Sequence, residues 1–244
     1  MIISETKVLR MVRAVFFDWF NTLARLDPPR EDLYHQAFRK FGIEPPFKDI
    51  VRGVMAADRY YFEENARSPL AKRSREEQMK VYLHYPMAIL AEAGLEAPQD
   101  VLAKVLGIVV EKFGRGNFVL FDDVLSTLES LKQQKLVLGL LTNARRDTIS
   151  SLHQRLGLES RLDFVVTSEE VGADKPKPEI FLAALDKAGV KAAEAVHVGD
   201  QYELDVAGAR GVGINPILID RYEIYPEVSD CPRIQSLTEL AKYL

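Results

Sequence analysis

The sequence predicts an α/β protein: a doubly wound parallel sheet interrupted by an all-helical insertion. Three observations carry this reading. Five short apolar runs rich in Val, Ile, Leu and Phe lack the alternation of a half-exposed strand, as parallel strands buried on both faces do. Helical stretches separate the later runs, so strand and helix alternate from about residue 119 onward. Between the first and second runs, residues 27 to 118 hold no convincing strand but four helical stretches, too much chain for one crossover.

The first apolar run is Val12–Phe17, ending on Asp18. The next are Leu136–Leu141, ending on Thr142, and Phe164–Val166, ending near Thr167 and Ser168. Ala195–Val198 ends on Gly199-Asp200, and Ile217–Ile219 ends on Asp220. Ligands of open parallel sheets bind beyond the carboxyl ends of the strands, so these polar endings point to one common site. Among the helices, Asp147–Leu156 stops at Gly157, while Pro178–Ala188 opens with proline in its first turn and stops at Gly189. Asp27-Pro28-Pro29 punctuates the entry to the insertion. Its helices are predicted over Glu31–Phe41, ended by Gly42; over Phe47–Ala66; after a Ser74/Glu77 capping box, with a kink at Pro86; and over Asp100–Phe113. Gly114 and Gly116 then return the chain to the core, and the block is placed to cover the site.

Composition removes whole classes of function. Of 244 residues, 47% are apolar and 28% charged, enough to bury a core and too apolar for disorder. With 32 basic and 36 acidic residues the net charge is −4, which argues against nucleic acid as a partner. The one cysteine, Cys231, excludes an internal disulfide and a cysteine-rich metal cluster, and it sits in no reactive setting. No run approaches the ~18 apolar residues of a membrane span, and charged residues in Met1–Arg10 argue against a secretory signal. Met11 directly precedes the first strand, so residues 1–10 read as a short extension. The expectation is a cytoplasmic protein, monomeric or homodimeric.

The candidate site is assembled from the strand endings. Asp18 closes a buried apolar strand, where an unpaired charge is costly. It is either a loop or cap aspartate or a nucleophilic or metal-binding carboxylate. Asp200, with Asp205 five residues later, can converge with Asp18 on a hard cation. Thr142-Asn143 offers a hydroxyl and backbone amides suited to an anion. Lys175 precedes Pro176, which restrains its backbone and helps aim its side chain.

This ordered set resembles the haloacid dehalogenase superfamily of aspartate-nucleophile hydrolases. The family's pattern is a strand ending in Asp with a Thr four residues on, a strand ending in Ser or Thr, a Lys-Pro, and a strand ending Gly-Asp with a later Asp. Here these are Asp18 with Thr22, Thr142, Lys175-Pro176, and Gly199-Asp200 with Asp205. The resemblance implies a core of residues 1–26 and 119–244 on the family's Rossmann-like sheet, and a type-1 cap over 27–118. It implies that Asp18 attacks the phosphorus of a small phosphorylated substrate, and that the resulting aspartyl-phosphate is hydrolysed by water. Mg²⁺ would be held by Asp18, the carbonyl of Phe20 and Asp200, with Asp205 binding through water or orienting Asp200. Thr142 and Lys175 would hold the phosphoryl oxygens, with Thr22, Asn143 and Trp19 lining the substrate.

One position departs from the phosphatase pattern. Those enzymes carry a second Asp two residues after the nucleophile as general acid, and this chain has Phe20. Losing such an acid costs ~10²–10⁴ in rate. His35, Tyr34 and Asp27 are candidate replacements. A metal-independent 2-haloacid dehalogenase is the alternative that Phe20 suits, but such enzymes lack the Gly-Asp with its later Asp and carry a Tyr where this chain has Phe181. A phosphonate-cleaving relative would need an imine-forming cap lysine, from Lys40, Lys48, Lys72 or Lys80. A weakly active or non-catalytic binding protein on the same fold is the third reading. Arg145-Arg146 reads as a surface pair, and His197 as a satisfied core histidine.

Overall fold

The computed structural model describes residues 12–68, 70–113, 117–144 and 146–244. Residues 1–11, Gly114, Gly116 and Arg145, which figure above, lie outside the described residues. The chain divides into two compact units: residues up to Arg25 with Leu120–Leu244, and Leu26–Val119.

In chain order, β1 (Ala14–Phe17) is followed by β2 (Ala24–Asp27) and by four helices, α1 (Arg30–Arg39), α2 (Phe47–Arg67), α3 (Arg75–Glu92) and α4 (Gln99–Phe113). Next come β3 (Asn117–Leu120), α5 (Val124–Gln133), β4 (Val137–Thr142), α6 (Arg146–Arg155), β5 (Phe164–Thr167), the single turn α7 (Ser168–Val171) and α8 (Pro178–Ala188). Then come β6 (Ala195–Gly199), a π-helical turn over Tyr202–Ala207, the single turn α9 (Gly208–Gly211), β7 (Asn215–Ile219), the two-residue β8 (Arg233–Ile234) and a 3-10 helix over Leu237–Lys242.

Six strands form one sheet in the order β5-β4-β1-β6-β7-β8, and every pairing is parallel. β1 is flanked on both sides, and all four of its residues are buried, which explains its unbroken apolar run. The register sets Phe17 beside Leu140 and Val198, so Asp18 emerges level with the ends of β4 and β6. One core cluster joins Ala14 and Phe16 to Ile180, Phe181 and Ala184 of α8 and to Ala209 of α9. Strand alternation turns Val15 and Phe17 to the opposite face. Gly139 makes room for the edge-on pair Phe16–Phe164, because a Cβ there would lie 2.4 Å from the Phe164 ring.

β2 and β3 pair as a two-stranded ribbon, where the sequence reading has no strand. At four residues each, neither shows a usable period. β8 is also absent from that reading, at two residues.

The second unit is built on α2 and α3. Ser74 and Glu77 form a reciprocal capping box at the start of α3, which runs on through Pro86 as one helix. Gly53 allows the two helices to meet closely, since a Cβ on it would lie 2.3 Å from the Ile89 Cα. A buried polar cluster ties α1 to α2 and α3. The Arg30 guanidinium donates to both Asp58 oxygens, at 2.9 and 2.6 Å, and the Tyr85 hydroxyl donates to Asp58 at 2.7 Å. Tyr34 stacks on Tyr85 within this cluster, 2% exposed.

Gly53→Ala should therefore destabilise the chain by about 1–3 kcal/mol, because the clash is with backbone that cannot rotate away. Gly107→Ala, in a helix with nothing within 4 Å, should stabilise it by about 0.5–1 kcal/mol. Urea unfolding of the full chain followed by far-UV circular dichroism checks both; a neutral Gly53→Ala would contradict the close approach.

Candidate active site

The site lies at the carboxyl edge of the sheet. Asp18 follows β1, and its backbone N–H donates to the Val198 carbonyl at 2.9 Å. The chain then turns sharply: the Trp19 carbonyl accepts from the N–H groups of Leu23 and Ala24, and Asn21 sits at φ 61°. Asparagine tolerates that left-handed conformation better than most residues. The turn is pinned by Arg221, which donates to the Thr22 carbonyl at 2.8 Å and forms a bidentate pair with Asp123.

Lys175 is the centre of the constellation. Its ammonium donates to Asp18 Oδ1 at 2.5 Å and to Asp205 Oδ1 at 2.6 Å, with the lysine side chain 2% exposed. Asp205 Oδ1 also accepts from His197 Nε2 at 2.9 Å, and its Oδ2 accepts from the Gln201 N–H at 3.1 Å. The backbone of Lys175 is held by Asn143: Oδ1 accepts the Lys175 N–H at 2.8 Å, and Nδ2 donates to the Lys175 carbonyl at 3.3 Å. Gly199 is required for this arrangement, because a Cβ there would lie 2.1 Å from the Asp205 carboxyl carbon.

These contacts bend the titration of every member. Burial pushes Asp18 up to about 6, against the opposing pull of Lys175. Asp205 is also buried, but Lys175 and His197 hold it well below the usual carboxylate range. Burial works against the charge of Lys175, yet the two carboxylates keep its ammonium above the usual lysine value. Burial pushes His197 down, so its imidazole is neutral near pH 7.

Oxygen atoms of Asp18, Asp200 and Asp205 come within 4.8 Å of one another. A set made only of carboxylate oxygens is the donor chemistry of a hard divalent cation such as Mg²⁺, so these residues fit the metal that the resemblance implies.

The other sequence-named residues are spread around this centre. Thr142 is 3% exposed, and its hydroxyl accepts the Ala144 N–H at 3.1 Å. Thr22 is fully buried, with a hydroxyl that has no hydrogen-bond partner among the described residues. Trp19 is buried, and Phe20 half-buried. The Asn143 side chain, read as substrate-binding, spends both polar atoms on Lys175. Phe181 packs edge-on against His197 in the core. Among the candidate replacement acids, Tyr34 stacks on Tyr85, and burial raises its hydroxyl above the usual tyrosine range. His197 lies in the buried strand where the sequence puts it, but its bond to Asp205 is a contact that nothing in the sequence signals.

The haloacid dehalogenase-like hydrolase family matches residues 12–213, and the chain belongs to that family. A ribulose-1,5-bisphosphate 5-phosphatase of Halopiger xanaduensis is 36% identical over 58% of this chain and 59% of its own length. The chain thus aligns with little more than half of that relative. A glyceraldehyde 3-phosphate phosphatase of Methanopyrus kandleri is 29% identical over 86% of this chain and 85% of its own. A solved 2-haloacid dehalogenase of Pseudomonas syringae is 27% identical, with a TM-score of 0.55, over 95% of this chain and 97% of its own. Among the described residues, no helix is long and apolar enough to cross a membrane.

The sign of the Asp18 shift makes a testable statement. The folded chain binds this proton more tightly than the unfolded one, so the group's contribution to stability is full below its ordinary 3.8 and is lost as pH rises through about 6. Asp205 behaves oppositely, contributing at neutral pH and losing that contribution in acid. In the metal-free chain, carboxyl ¹³C shifts should place the Asp18 midpoint near 6, and Mg²⁺ should lower it. A metal-free midpoint at the ordinary 3.8, or one unmoved by Mg²⁺, would contradict this geometry.

Proposed function

We propose that the chain is a Mg²⁺-dependent phosphatase of small phosphorylated metabolites that works through an aspartyl-phosphate on Asp18. The observation that carries this is the Lys175 ammonium, buried between Asp18 and Asp205 at 2.5 and 2.6 Å, beside the third carboxylate Asp200. Asp18 Oδ1 is held by Lys175, which leaves the other oxygen as the nucleophile. It attacks phosphorus in line, the bond from phosphorus to the leaving oxygen breaks, and water then attacks the acyl phosphate to release inorganic phosphate and restore Asp18. Lys175 supplies fixed positive charge to the phosphoryl oxygens, and the Thr142 hydroxyl and nearby backbone amides supply donors. Asp205 keeps Lys175 charged and aimed. Asp18, Asp200 and the carbonyl of Phe20 would hold Mg²⁺, which would offset the repulsion between carboxylate and phosphate. The two phosphatase relatives are named for phosphorylated sugars, which makes such esters the first substrates to try.

Phe20 has no proton to give, so the leaving oxygen departs unassisted by that position. Good leaving groups, as in acetyl phosphate and p-nitrophenyl phosphate, should be turned over far better than alkyl phosphates. Phe20→Asp should raise alkyl phosphate turnover, by up to ~10²; an unchanged rate would show that leaving-group protonation is not limiting.

Phe20 also suits the dehalogenase reading, and one assay separates the two. Phosphate release with Mg²⁺, its loss in EDTA, and a fall of at least ~10³ in Asp18→Asn are the expected results. Metal-independent chloride release from 2-chloropropionate would replace the phosphatase reading with the dehalogenase one.

A further inference from the structure

We propose that His197 is a positioning residue: through Asp205 it fixes the direction of Lys175. The role in turnover rests on the phosphatase reading, but the geometry does not. His197 lies inside β6, paired in register with Phe16 on one side and Pro216 on the other, and it is 1% exposed. Lys175 and Asp205 both come from segments outside the sheet. The imidazole is thus a polar group rooted in a fully buried strand paired on both sides, with its Nε2 at the charged cluster. Its Nε2 lies 2.9 Å from Asp205 Oδ1, the same oxygen that Lys175 approaches to 2.6 Å.

The protons follow from the partners. A carboxylate beside an ammonium only accepts, so Nε2 carries the hydrogen and donates. Nδ1 is buried and has no hydrogen-bond partner among the described residues. The ring is held edge-on by Phe181, with centroids 5.3 Å apart. A position flanked by Val196 and Val198 would pack a valine or leucine without leaving a buried nitrogen lone pair unsatisfied. The imidazole therefore carries a polar cost that packing does not explain, and its Nε2–H bond is what that cost supports.

The consequence for Lys175 is mechanical. Gly199 lets the Asp205 carboxyl press against the strand, and the Gln201 N–H holds Oδ2. Among the described residues, the side chains that hold Oδ1 are Lys175 and His197. Remove the imidazole donor and Asp205 is free to turn, carrying the ammonium off the line to Asp18.

The test compares His197→Phe, which keeps a planar ring against Phe181, with His197→Gln, whose Nε2 is the same number of bonds from Cβ as the imidazole Nε2. His197→Met stands in should the Phe variant unfold. Nitrogen-detected NMR of the full chain, assigned by loss of the signal in Lys175→Arg, reads the Lys175 ammonium directly. We expect an exchange-protected ammonium signal in wild type and in His197→Gln, shifted or lost in His197→Phe. In p-nitrophenyl phosphate turnover with Mg²⁺, His197→Phe should lower kcat by about 10–100-fold with KM little changed, Gln should restore most of it, and the Phe change should add nothing in a Lys175→Met background. An ammonium signal identical in wild type and a folded His197→Phe would overturn the proposal, as would equal kcat losses in the Phe and Gln variants. A wild type without turnover would sink the phosphatase reading and leave the ammonium signal to decide the role of His197.

Discussion

Everything at this sheet edge depends on burying one ammonium between carboxylates. Lys175, Asp18 and Asp205 are almost out of reach of water, where an unpaired charge would cost several kcal/mol. The cluster survives because each charge meets an opposite one at hydrogen-bond distance. With Asp200 included, three carboxylates face one ammonium. On the proposed phosphatase reading, that surplus of negative charge would favour a divalent cation there, and the cation with Lys175 would let a chain with a net charge of −4 take an anionic substrate without a basic surface.

The fold supplies the precision that such a cluster demands. Parallel pairing in register brings the ends of β1, β4 and β6 together, so Asp18, Thr142 and Asp200 need no long loops to meet. Lys175 does come from a loop, and the protein compensates at both ends of the residue. Asn143 grips its backbone with both amide atoms, while Asp205, backed by His197 and the Gln201 N–H, receives its ammonium. Gly199 is small because the Asp205 carboxyl occupies the space of a side chain. Arg221 and Asp123 do similar work for the turn after Asp18.

Much of this was legible in the residues. Unbroken apolar runs marked the parallel strands, and α8 begins and ends where Pro178 and Gly189 say it should. Asp18, Lys175 and Asp200 stood out because charges at the ends of buried strands or before a proline have few bland explanations. What escaped depends on contacts between distant parts of the chain. The Asn143 side chain grips a backbone 32 residues away, a contact that its place after Thr142 does not signal. His197 among valines gave the same pattern as any core position. Tyr34 is buried on α1 with Leu33, Ala37 and Phe38, and its stack on Tyr85 of α3 is a contact the sequence does not signal. β2, β3 and β8 are too short for alternation to register.

The central claim, that the Lys175 ammonium is what makes the buried carboxylates tolerable, is tested most directly by the stability of Lys175→Met across pH. The account predicts a loss of about 3–5 kcal/mol near neutral pH, because two buried carboxylates are left without their counter-charge. The loss should shrink as pH falls toward 5, where those carboxyls, their pKa values raised by the missing ammonium, take up protons more readily in the folded chain than in the unfolded one. A Lys175→Met variant as stable as wild type at neutral pH, or one whose deficit is the same at both pH values, would contradict the account.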